Sequence, residues 1–156
     1  PTRLVHIGMG LVLLATSILG ATTQAAEPVD PKLTPRLRQL LTQEMRSLRA
    51  ASQQLLAALV QADHNTLARV AQQIHDSFIL KKSLSDQDRQ DLKQAVPEEF
   101  VQMDRHFHQT AAHLAEAARS RNVELEQRYY HDLIDQCVAC HQRYVTDRFP
   151  GFVQRQ

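Results

Sequence analysis

The sequence predicts an all-α chain folded as an antiparallel four-helix bundle. Three observations carry that expectation. From Glu27 onward there is one glycine, Gly151, and the prolines (Pro28, Pro31, Pro35, Pro97 and Pro150) all sit at the ends of periodic segments. Alanine, leucine, glutamine and arginine dominate, and no stretch alternates with period two. Four segments place apolar residues every three or four positions, the stripe of an amphipathic helix.

The first helix is expected over about 33–60, with a stripe through Leu37, Leu40, Met45, Leu48 and Leu55. Pro31 and Pro35 precede or open it. The second is expected over about 65–82, through Leu67, Val70, Ile74 and Phe78, capped by Asp63 or Asn65. Ser85 to Asp88 reads as a capping box that opens a short extra helix ending at Ala95. Pro97 opens the third helix, about 97–120, with Glu98 and Glu99 favourable at its positive end. Its stripe is Phe100, Met103, Phe107, Ala111 and Leu114. The fourth runs over about 122–146, through Tyr130, Leu133, Cys137, Cys140, His141 and Tyr144. The first and last connections are a few residues long, which forces antiparallel neighbours.

The chain divides into a leader, 1–25, and one domain, 26–156. Arg3, an apolar centre and small residues before Glu27 make a secretory signal peptide. The apolar run Ile7–Leu19 has 13 residues, short of the roughly 20 that a spanning helix needs. After cleavage the domain carries seventeen basic and seventeen acidic residues without long runs. Nucleic acid is therefore not an expected partner. No membrane association is expected after cleavage, and the expected location is the periplasm.

The only cysteines lie in "DQCVACHQRY", residues 135–144. Near the end of a helix, Cys137, Cys140 and His141 share one face, and the stripe turns that face inward. Three chemistries use such a motif. A thioredoxin-like dithiol sits at a helix start after a strand, where the helix N-terminus lowers the thiol pKa. This motif is at the opposite end, with no strand before it. A zinc site would need a fourth ligand, and a lone Cys-x-x-Cys on a helix is not the usual knuckle. A c-type haem attachment fits best, with thioethers to both cysteines and His141 as axial ligand. Export agrees with it, and an inward-facing site suits a large apolar group.

In its helix order, in "CVACHQRY" and in "RQLLTQEMRSL", the chain resembles the class II c-type cytochromes, the cytochrome c-prime family. The resemblance implies one covalent haem c near the C-terminus of a four-helix bundle. Members often continue the motif as CH-x-x-Tyr/Phe-Arg. Here Tyr144 is present, but Val145 stands where the arginine would be. In high-spin members that arginine lies near the face where small gases are handled, so its absence argues against gas binding.

Low-spin relatives place a methionine where Met45 stands, with an arginine two turns earlier at Arg38. The resemblance thus implies Met45 as the sixth iron ligand. Arg38 is expected either to pair with a haem propionate, since charge-assisted bonds to carboxylates are strong, or to lie solvated on the helix surface. Met103 reads as core. His75 borders the core stripe and is a lesser ligand candidate. His106 and His108 flank Phe107 and should be solvated or bonded to carboxylates. Phe149 and Phe152 either close the haem edge or pack the end of the bundle, and the second is the favoured expectation.

The expected function is single-electron transfer with other periplasmic redox proteins, without enzymatic chemistry. Two competitors stand beside it: a five-coordinate haem that binds NO or CO, and a non-haem helical metal-binding protein. Family dimers pair through the first two helices. Arg46, Arg49, Gln53 and Gln54 give no apolar second face there, so a homodimer is left open.

Overall fold

A computed structural model of the protein describes residues 27–77 and 84–152. The leader 1–25, the expected end of the second helix after residue 77, and Phe78 lie outside the described residues. All regular structure described is helical. A 3-10 turn, Asp30–Lys32, leads into α1, Pro35–Val60. Then come α2, His64–Asp76; α3, Asp86–Ala95; α4, Glu98–Arg119; and α5, Val123–Tyr144. A last 3-10 turn spans Pro150–Phe152. Helices α1, α2, α4 and α5 form the four-helix bundle, and α3 lies in the long connection.

Local chemistry sets the boundaries. Thr34 Oγ1 accepts from Leu37 N at 3.2 Å and caps α1, with Pro35 at its first position. Asp63 caps α2 by accepting from Thr66 N at 3.0 Å. Ser85 and Asp88 form the expected capping box of α3. Asn122 caps α5 by accepting from Leu125 N at 3.1 Å. Helix α2 is described to Asp76, with Ser77 as its cap. Ser77 donates both its N–H and its hydroxyl to the Ile74 carbonyl, closing the last turn tightly.

Two core clusters fill the bundle. One holds Leu55, Leu67, Ala71, Ala111 and Leu114, and extends to Leu48 and Leu133. Alanines there let α2 and α4 approach closely. The other holds Val29, Leu37, Leu40, Phe100 and Tyr144. Cys137 packs against the first cluster and Cys140 against the second. The motif therefore straddles the space between them.

The segment before α1 completes this end of the molecule. Glu27 N donates to Arg143 O at 2.8 Å, and Val29 N donates to Tyr144 O at 3.0 Å. These bonds satisfy carbonyls that the end of α5 would otherwise leave unpaired. Val29 is buried at the same place.

Candidate functional site

A cavity of about 450 Å³ lies between α1, α4 and α5. That volume is in the range of small-molecule and cofactor sites. The spacing of α5 puts Cys137, Cys140, His141 and Tyr144 on the cavity wall. Helix α1 contributes Leu41, Met45 and Leu48, and α4 contributes Phe100, Met103 and Phe107. Arg46, Arg49 and Arg148 stand at its rim, exposed to solvent.

Burial decides the chemistry of the two thiols. It raises the pKa of Cys137. It pushes Cys140 up to about 12, with further contributions from the charges of Asp104 and Cys137. A reactive dithiol needs the reverse shift, toward thiolate. Burial also lowers the pKa of His141, so its imidazole is neutral near pH 7 and its ring nitrogen keeps a lone pair for a metal. Among the described residues, no group of three or more His, Cys, Asp or Glu is placed to share a metal ion.

Tyr144 is fully buried, with its ring edge-on to Phe100 at 5.3 Å between centroids. The Arg143 guanidinium carbon lies 5.2 Å from the centre of the Tyr144 ring. The Tyr144 hydroxyl has no hydrogen-bond partner among the described residues, although it is enclosed. Gln136 gives its Nε2–H to Thr110 Oγ1 at 3.0 Å and leaves Oε1 unpartnered beside the cavity.

The structure thus brings four of the five sequence-predicted residues together: Cys137, Cys140, His141 and Met45. Arg38 is elsewhere. Its Nε lies 3.2 Å from Asp30 Oδ2, and its Nη2 donates to the Asp30 and Leu33 carbonyls. It pins the turn before α1 through Asp30, which borders the cavity, while Arg38 itself is not in the lining. His75 also turns away, its Nδ1 3.0 Å from the His108 carbonyl oxygen.

Of the two roles open to the tail, Phe149 fits the one beside the cavity. It stacks on His141, with 5.0 Å between ring centroids and 27° between planes, and it borders the cavity. Sequence reasoning also missed Asp104, which lies one position beyond Met103 and borders the cavity. Its neighbours Glu44 and His108 are buried as well. The signal for these was weak: Glu44 is the only carboxylate in α1, directly before Met45 in an otherwise basic helix.

Among the described residues, no helix is long and apolar enough to cross a membrane. A family model described as Cytochrome C' matches residues 37–145. No curated protein and no solved structure matches the chain.

Proposed function

The chain belongs to the cytochrome c' family, and from that premise we propose that it is a periplasmic one-electron carrier whose covalent haem c is ligated by His141 and Met45. The family implies a covalently bound c-type haem. The residues present fit such a group. The cavity is walled by apolar side chains, and two neutral thiols and a neutral imidazole share one of its faces. Among the described residues the enclosed Tyr144 hydroxyl has no partner, and a carboxylate-bearing occupant would supply one.

Each residue then has a stated task. Cys137 and Cys140 hold the group through thioethers, which leave no charge behind in a buried wall. His141 offers a neutral nitrogen, held by α5 and covered by Phe149. When bound, the haem supplies the reversible one-electron couple that the polypeptide lacks. The apolar walls keep water from the site. Met45 carries the reading: it reaches the same cavity as His141 from a different helix. A thioether there leaves no open position and raises the reduction potential relative to two nitrogens. The partners are other redox proteins of the periplasm, reached after cleavage of the leader 1–25.

The test is spectroscopic. The protein, expressed with its leader in a host that attaches haem c, should be low-spin in both oxidation states. Its ferric form should show a methionine-to-iron charge-transfer band. Met45→Ala should lose that band and bind CO at once in the ferrous form. A wild-type ferrous protein that is high-spin and binds CO immediately would sink the electron-carrier reading and support gas binding.

A further inference from the structure

Behind the cavity wall lies a cluster of titratable groups that the reading above does not use. We propose that Asp104 and His108 form a proton-binding site that fills when the protein accepts its electron, so that the chain carries a proton together with the electron. The proposal rests on the electron-transfer reading and adds a second cargo to it.

The geometry points there from three sides. Asp104 borders the cavity and also borders a separate outer groove formed with residues of α2 and α3. Its side chain is 13% exposed, but its Oδ2 is buried and has no hydrogen-bond partner among the described residues. Its Oδ1 lies 3.8 Å from His108 Nε2. That nitrogen also lies 3.5 Å from Oε1 of the fully buried Glu44. The other ring nitrogen of His108, Nδ1, is 2.7 Å from the Ile74 carbonyl oxygen. A carbonyl only accepts, so Nδ1 carries a hydrogen and Nε2 is the nitrogen that exchanges a proton.

Among the described residues, titratable and charged groups face the pair from all five helices. Glu44 faces it from α1, and His75 and Asp76 border the groove from α2. Arg89 and Lys93 border the groove from α3, and Arg105 from α4 itself. Cys140 of α5 lies near enough for Asp104 to raise its pKa. The carboxylates of Asp104 and Glu44 both approach the His108 imidazole.

Burial in this setting favours a proton on Asp104. Burial first, and then the charge of Glu44, push the Asp104 carboxyl up to about 7, while His108 opposes them. Burial alone would lower the pKa of His108. The hydrogen bond to Glu44 and the charge of Asp104 outweigh it, and the net direction is upward. The two groups are coupled, so proton uptake belongs to the pair and not to either residue alone.

An added electron places one more negative charge in the cavity that Asp104 borders. In a poorly screened interior that charge is felt strongly and favours the protonated pair. The balance is simple. One electron comes from a one-electron donor protein and one proton from water, and both leave on oxidation. The only bond made is O–H on Asp104 or N–H on His108.

The holoprotein tests this directly. Its midpoint potential, followed by spectroelectrochemistry, should fall as pH rises through neutrality. The slope should approach, and not exceed, about 59 mV per tenfold change in proton concentration for a one-electron couple. Asp104→Asn keeps the size of the side chain and should flatten that dependence. A variant that keeps the full wild-type slope would assign the proton elsewhere and overturn the proposal.

Should Asp104→Asn not fold, proton uptake by the wild type decides. Reduction in unbuffered solution with an indicator dye should take up a substantial fraction of a proton per electron, and no uptake overturns the site. A reversible couple that is independent of pH defeats the proton site and leaves the electron carrier standing. The absence of any reversible couple defeats both.

Discussion

At the scale of single residues, the motif was legible and its surroundings were not. Cys137, Cys140 and His141 announce themselves by spacing, and a helix puts them on one face whatever its neighbours do. His108 flanks the Phe107 stripe by sequence, yet it is buried. Asp104 stands one turn before it on the same helix, but Glu44 comes from α1, and no local pattern reports a contact between positions 44 and 108. The pair His64 and Glu126 is similar. Nδ1 of His64 lies 2.7 Å from Oε1 of Glu126, which is 1% exposed in the first turn of α5. The pair joins the start of α2 to the start of α5. His64→Ala would strand a buried carboxylate without its donor. The expected cost is about 2 to 3 kcal/mol, the desolvation penalty of an unpaired charged group. Urea unfolding of the holoprotein should show a lower midpoint with an unchanged slope. A midpoint within error of wild type would mean that solvent replaces the histidine.

At the scale of elements, periodicity placed each bundle helix and capping residues fixed most of the starts. What it could not show was how the helices end without glycine. The α1–α2 and α4–α5 turns are built alike. Ala62 and Arg121 both sit at φ 53°, the left-handed region. Asp63 N donates to Ala58 O at 2.9 Å, and Asn122 N donates to Ala117 O at 3.0 Å. Ala62 N reaches Leu59 O, and Arg121 N reaches Ala118 O. These are two Schellman closures, each followed at once by the cap of the next helix. The left-handed position normally takes glycine, and a side chain there costs roughly 1 to 2 kcal/mol. Ala62→Gly should therefore stabilise the protein by up to about 1 kcal/mol, because glycine also gains entropy in the unfolded chain. Arg121→Gly should behave alike. A rise in thermal midpoint for each single variant, and a near-additive rise for both, would confirm it. A loss of stability would show that the side chains contribute contacts that outweigh the strain.

At the scale of the whole molecule, the bundle was legible because composition, punctuation and four stripes agree. The cavity was not, since its walls read as ordinary core stripes. Leu41, Met45, Phe100 and Phe107 fit a packed interior as well as a cofactor-lined one. The fold divides accordingly. Around Leu67, Ala71, Ala111 and Leu114 the core is closed by side chains alone. Toward the motif, about 450 Å³ is left for an occupant. Left dry, a cavity of that size would cost about 10 kcal/mol at roughly 24 cal/mol per Å³, as an upper bound for a site with an open mouth. That is comparable to the whole stability of a typical domain, about 5 to 15 kcal/mol. Cys137→Ser combined with Cys140→Ser removes the means of covalent attachment. The resulting chain should keep most of its far-UV helical signal, bind a hydrophobic dye and lose near-UV structure. Hydrogen exchange should divide it in space. Amides of α2 and the second half of α4 should stay protected, while the first half of α1 and the last turns of α5 exchange quickly. Uniform protection across all four bundle helices would mean that the cavity closes on itself, and that the bundle is stable without its occupant.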